Sequence, residues 1–156
     1  MVSWLGWERF RRLSRSFCGR ESKWYHTCLY IKFMAEQKRI VGKRILLVED
    51  DQGARDSIKL LLTIDRHEVV EATAGAEAIE LLKSQPFDLA ILDYFMPGMR
   101  GSQLALHIRN IAPALPILMI TAYLEKLGDS DKPVDAVIGK PFAVEELRRA
   151  IAKLLS

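Results

Sequence analysis

The chain reads as an α/β protein in which five short strands form one parallel sheet with helices wound on both of its faces. Three observations carry that reading. Strand-like and helix-like segments alternate from residue 44 to the end, with no repeat or low-complexity tract between them. Three apolar runs of strand length stop abruptly at charge: RILLVEDD at 44–51, LAILDYFMPG at 89–98 and VIGKPF at 137–142. Between such runs the apolar residues recur at the 3.6-residue spacing of a helix face.

A polar, charged lead-in covers residues 35–43. The first strand is Ile45–Val48, and Ala54, Ile58, Leu61 and Leu62 then predict a helix over 53–64. Glu68–Ala72 is the second strand. Ala76, Ile79 and Leu82 line the next helix, which must end before Pro86, because a proline pushes the residue ahead of it out of helical conformation. Leu89–Leu92, the most apolar strand, is expected at the sheet centre. Met96, Pro97 and Gly98 resist regular structure and lead to Gly101. Leu104, Ile108 and Ile111 predict a third helix stopped by Pro113, and Pro116 opens the fourth strand, Ile117–Ile120. From Tyr123 to Pro133 a cluster of Gly128, Asp129, Ser130 and Asp131 replaces any long period, so the fourth helix is expected to be short or irregular. Val134–Ile138 supplies the fifth strand. Val144, Leu147, Ile151 and Leu154 predict a closing helix, whose start at Ala143 lacks a capping side chain.

With 156 residues, 49% apolar and 28% charged, the composition is that of one globular domain. The net charge of +3 misleads: residues 1–33 hold seven Lys and Arg against two acids, leaving sixteen against eighteen from Met34 onward. The folded part is mildly acidic and gives no case for nucleic acid. Residues 1–42 are expected to be a basic extension, disordered or non-native, and 43–156 the folded domain. Trp4, Trp7, Phe10 and Phe17 recur near helical spacing among Arg9, Arg11, Arg12 and Arg15, which leaves open an amphipathic helix for a membrane surface or a partner. Met34 could equally be the natural start. Cys18 and Cys28, with His26, lack a fourth metal ligand at zinc-finger spacing, and the remainder is free of cysteine, as suits the cytoplasm. No apolar stretch is long enough to cross a membrane.

Right-handed crossovers place the carboxyl ends of parallel strands on one edge, where open α/β sheets bind ligands. Glu49, Asp50, Asp93, Thr121 and Lys140 all fall at such ends. Any one of them alone would be an ordinary solvated strand-end residue. Together, three carboxylates repel unless a hard cation and an ammonium group compensate them. Mg²⁺ fits, since it takes oxygen ligands and retains waters that a phosphoryl group can displace. Asp93 is then placed to attack phosphorus in line, with the cation and Lys140 neutralising the equatorial oxygens, and an aspartyl phosphate results. Thr121 can offer its hydroxyl to the arriving group and draw its own loop inward. Asp51 is expected at a helix start rather than as a ligand, and His67 and His107 at the surface with no chemical role.

From about Lys43 to Leu155 these segments resemble the receiver domain of two-component response regulators, in the stand-alone, chemotaxis-regulator-like form. An acidic pair after strand one, Asp93 before MPG, Thr121-Ala122 after strand four and Lys140-Pro141-Phe142 after strand five occur in the family's order. The resemblance implies a flavodoxin-like sheet of order 2-1-3-4-5. It also implies Asp93 as phosphoacceptor, Glu49 and Asp50 as the acidic pair, the Phe95 backbone carbonyl as a further Mg²⁺ ligand, and a cis bond before Pro141. It implies a sensor histidine kinase or histidine phosphotransfer protein as phosphodonor. A downstream protein would read the face from the fourth strand to the closing helix, with no output domain following, and a homodimer stays open.

The chain departs from the family at one switch position, because receivers commonly carry an aromatic residue three places before the lysine and Val137 stands there. Signalling would then pass through the backbone or another side chain. Phe95 and Tyr123, two places after Asp93 and Thr121, together with Ala122, border the expected phosphoryl position. Bulky rings there would restrict water and prolong the phosphorylated state. Two other functions compete. A Mg²⁺-dependent phosphohydrolase of the haloacid dehalogenase type needs a second Asp two residues after the nucleophile, and Phe95 cannot transfer a proton. A pseudo-receiver would bind a partner without phosphorylation, a reading that Val137 favours. No glycine-rich turn for a dinucleotide and no Walker loop is present.

Overall fold

The computed structural model describes residues 40–122 and 133–156. The basic leader, with its cysteines and tryptophans, and the expected fourth helix lie outside the described residues. The order is β1 (Arg44–Val48), α1 (Gln52–Ile64), β2 (Glu68–Ala72), α2 (Gly75–Ser84), β3 (Leu89–Asp93), α3 (Gly101–Ile111), β4 (Ile117–Thr121), β5 (Ala136–Gly139) and α4 (Val144–Leu154). All pairings are parallel and the strand order is β2-β1-β3-β4-β5, as expected. The chain first winds outward to β2, then reverses across β1 to β3. That reversal opens a crevice beyond the carboxyl ends of β1 and β3.

Strand alternation sorts the core into two layers. Leu46, Val48, Ala90, Leu92 and Ile117 face Ala78 of α2 and Leu104, Ala105 and Ile108 of α3. Ile45, Leu47, Leu89, Ile91, Leu118, Ile120 and Ile138 face Ile58 and Leu62 of α1 and Leu147 and Ile151 of α4. Because β3 and β4 are buried along their whole length, they are continuous apolar runs rather than alternating ones. Each fully buried Leu or Ile among them contributes about 1.5–3 kcal/mol.

Several expectations shift in detail. β5 starts at Ala136 instead of Val134, because Asp135 turns its carboxylate onto the Ile117 N–H and leaves the strand to begin after it. Ala76 and Ile111 are exposed; Gly75 and Ala78 form the inner stripe of α2, and Ala105 joins Leu104 and Ile108 on α3. His67 is buried rather than superficial, since its Nδ1 accepts from the Lys43 N–H at 3.3 Å where the chain enters β2. His107 is exposed. Asp51 caps α1, accepting from the Ala54 N–H at 2.7 Å, whereas Ala143 leaves α4 without a side-chain cap.

Candidate functional site

Both residues that close β1 and β3 on the crevice are acids whose burial their neighbours enforce. Glu49 is held by its N–H to the Ala72 carbonyl at 3.2 Å, and only 3% of it is exposed. Asp93 ends β3 and is 7% exposed. Its position depends on Gly101: a Cβ there would stand inside the radius of the Asp93 carbonyl oxygen and 3.1 Å from the Tyr94 Cα. Glycine therefore lets α3 begin directly against the end of β3, with the Gly101 N–H on the Tyr94 carbonyl at 2.9 Å. Between them Gly98 takes a φ of +80°, a left-handed turn that suits the residue after Pro97.

Lys140 follows β5 and closes the site from the other side. Its N–H donates to the Thr121 carbonyl at 2.7 Å, which locks the ends of β4 and β5 together, and the following peptide bond to Pro141 is cis. The Nζ donates to Asp93 Oδ1 at 2.6 Å and to Glu49 Oε2 at 2.7 Å. The other Asp93 oxygen, Oδ2, accepts from the Phe95 N–H at 2.7 Å. Asp50 is exposed, and its carboxylate joins those of Glu49 and Asp93 with ligand atoms all within 4.8 Å of one another. Among the described residues this is the one such acidic cluster.

Burial, the largest influence, pushes the Glu49 carboxyl above the ordinary value; the charges of Asp93 and Asp50 add to it, and the Lys140 hydrogen bond opposes it. For Lys140 burial works the other way. The hydrogen bonds and charges of Asp93 and Glu49 outweigh it, so the ammonium is held above its usual range and stays charged. Three carboxylates against one ammonium form an all-oxygen donor set with surplus negative charge. Such a set suits a hard cation such as Mg²⁺ and offers no soft ligand.

Thr121 is buried at the end of β4, and Ala122 beside it is exposed. Val137 is half-buried on β5. Phe95 is 43% exposed, and its ring packs edge-on against Tyr94 with centroids 4.9 Å apart. Tyr123 lies outside the described residues. Beside the acids that the sequence singles out, Arg55 of α1 donates to the carbonyl oxygens of Glu49 and Asp50. Its position three residues before Ile58 and seven before Leu62, on the inward stripe, was the available signal.

The fold and this edge define a class, and the chain belongs to it: residues 45–152 match the response regulator receiver domain. Among curated relatives, the response regulator MprA of Mycolicibacterium vanbaalenii is 36% identical over 115 residues, which is 72% of this chain and 50% of MprA. The chain thus spans about half the length of the curated relatives it matches. Among solved structures, the Thermotoga maritima response regulator TrrA in complex with Mg²⁺-BeF is 35% identical with a TM-score of 0.69, over 72% of this chain and 99% of TrrA. A chain of the complex of histidine kinase ThkA with TrrA gives 36% identity and a TM-score of 0.68, over 73% of this chain and 99% of that one. The domain is therefore a receiver of a two-component system. Among the described residues no helix is long and apolar enough to cross a membrane.

Proposed function

We propose that residues 43–156 act as a Mg²⁺-dependent phosphoacceptor in which Asp93 receives a phosphoryl group from a phosphohistidine and thereby changes the protein's interactions. The observation that carries this reading is Lys140 Nζ, which stands 2.6 Å from Asp93 and 2.7 Å from Glu49 inside a cluster of three carboxylates. In the transfer an Asp93 carboxylate oxygen bonds to phosphorus as the phosphorus–nitrogen bond breaks, and the electron pair of that bond returns to the imidazole. Glu49, Asp50, Asp93 and the Phe95 carbonyl would hold Mg²⁺, which when bound neutralises charge on the phosphoryl oxygens. Lys140 supplies a fixed positive charge to the same oxygens. The Thr121 hydroxyl would turn to one of them and carry its loop with it, without help from an aromatic ring at Val137.

The donor is read as a sensor histidine kinase or a histidine phosphotransfer protein, a choice supported by the solved complex of ThkA with TrrA. Magnesium is supported by the Mg²⁺-BeF complex of TrrA. The face from β4 to α4 is the proposed contact for a downstream protein. The domain turns over no separate substrate on this reading. Incubating the full chain with Mg²⁺ and acetyl phosphate should add one phosphate, seen by mass spectrometry and absent from Asp93→Ala. An unmodified parent chain would leave a pseudo-receiver that binds its partner without phosphorylation.

A further inference from the structure

Arg55 stands one turn into α1 on the stripe of Ile58 and Leu62, with 12% of its side chain exposed. Its contacts with the site run to backbone oxygens. Nη1 donates to the Glu49 carbonyl at 2.8 Å and lies 3.2 Å from the Asp50 carbonyl. Nε faces Glu71 Oε1 at 3.5 Å. Glu71 belongs to β2, the outermost strand on that side, and its Oε2 pairs with Lys59, one turn further along α1. A relay thus runs from Lys59 through Glu71 of β2 to Arg55, and from Arg55 to the two peptide carbonyls that precede the helix.

We propose that Arg55 is a positioning residue that keeps the turn after β1 in the shape the divalent cation requires. The inference rests on the reading of the site as a Mg²⁺-dependent phosphoacceptor. Glu49 and Asp50 must hold two carboxylates beside a third before any cation arrives, and mutual repulsion drives the turn outward. A guanidinium opposes that drift, because it is always charged and its rigid fork can reach two carbonyls while Glu71 holds its other side. Arg55 touches neither the phosphoryl group nor the cation in this scheme. It acts by fixing the backbone from which Glu49 and Asp50 project.

The test is a MgCl₂ titration of the full chain by calorimetry, with phosphorylation by acetyl phosphate measured across the same Mg²⁺ range. Arg55→Met should weaken Mg²⁺ binding by about tenfold, as loss of a group that orients metal ligands does. Its phosphorylation rate at saturating Mg²⁺ should stay within about twofold of the parent, so that the Mg²⁺ midpoint moves and the maximum does not. Arg55→Lys should recover only part of the midpoint, since an ammonium is a point donor. Glu71→Gln leaves the guanidinium in place but loosens it, and should move the midpoint about threefold in the same direction; it also keeps the idea testable if Arg55→Met fails to fold. A Mg²⁺ midpoint within about twofold of the parent in both Arg55→Met and Glu71→Gln, whatever their melting temperatures, would overturn the assignment. A parent chain that binds no Mg²⁺ would overturn the phosphoacceptor reading and this inference with it. A parent that binds Mg²⁺ and takes phosphate beside variants with unmoved midpoints would overturn only the role of Arg55.

Discussion

At the amino edge of the sheet, Asp88 precedes β3 and Asp135 precedes β5, and each accepts from the first N–H of a neighbouring strand. Asp88 takes the Arg44 N–H at 2.8 Å and faces Lys43 at 3.6 Å; Asp135 takes the Ile117 N–H at 2.7 Å and the Arg109 guanidinium at 2.6 Å. At the carboxyl edge Glu49, Asp50 and Asp93 crowd together, and among the described residues the Lys140 ammonium pairs with Glu49 and Asp93. The acids of the first edge are matched one to one and satisfied by backbone, so they align strands. Those of the second edge carry negative charge that no group among the described residues fully neutralises, and that surplus is what a cation would complete. Whether charge is balanced among the described residues separates the structural edge from the candidate functional one.

The sharpest way to break this comparison is to remove the ammonium. Lys140→Met should slow phosphorylation by acetyl phosphate about a hundredfold, the scale for losing one preorganised positive group on a charged transition state. Without Mg²⁺ it should also lower stability by about 1–2 kcal/mol, because the hydrogen bonds to Asp93 and Glu49 vanish and their repulsion stands uncompensated. Mg²⁺ should return much of that stability by binding the folded state alone. Urea unfolding with and without Mg²⁺ measures both effects. If Mg²⁺ left the variant's stability unmoved, the carboxyl edge would be no less self-contained than the amino edge.

A smaller effect belongs to the other edge. Asp135→Ala strips the acceptor from the Ile117 N–H and from Arg109, and should cost about 1–2 kcal/mol. The ion pair itself adds little to this, since Asp135 is 43% exposed and solvent screens it. Arg109 keeps its bonds to the carbonyls of Leu115 and Pro133 at 2.7 and 3.1 Å, which limits the loss. The Mg²⁺ midpoint and the phosphorylation rate should match the parent. A shifted midpoint would show the two edges coupled through β4 and β5.

The carboxyl edge was more legible in the sequence than the amino edge, for a physical reason. A buried parallel strand is a continuous apolar run, so the point where RILLV or LAIL meets an acid marks a strand end without knowledge of the fold. The sheet order and the meeting of Glu49, Asp93 and Lys140 followed from resemblance and right-handed crossovers. Contacts made by one polar side chain across the fold left no comparable mark. Asp135 sits in what reads as the start of a strand, yet its carboxylate, in place of a β5 carbonyl, takes the Ile117 N–H and β5 begins at Ala136. Arg55 reads as a solvated helix residue unless its register with Ile58 is weighed above its charge. His67 reads as a polar strand entry, because its acceptor role depends on Lys43 arriving from 24 residues away.

His67 also supplies the smallest and most specific test of the amino edge, where it is the group that titrates near neutral pH. Burial lowers its pKa, and Lys43 adds to that, while Asp65 and Asp88 oppose. Protonation is therefore easier in the unfolded chain, which binds more protons than the folded one between the lowered value and the ordinary value of about 6.5. The stability this residue contributes is complete above about pH 6.5 and is lost as pH falls from there through the lowered folded value. His67→Gln keeps an oxygen that can accept from the Lys43 N–H and cannot titrate. Its stability should follow the parent's above about pH 7 and fall less steeply below about pH 6.5, by at most one proton's worth of slope. Urea unfolding between pH 5 and 8, without Mg²⁺ so that the carboxyl edge contributes equally to both proteins, reads the difference. Parallel curves would mean that His67 keeps its proton balance on folding, and that burial at this edge does not perturb it.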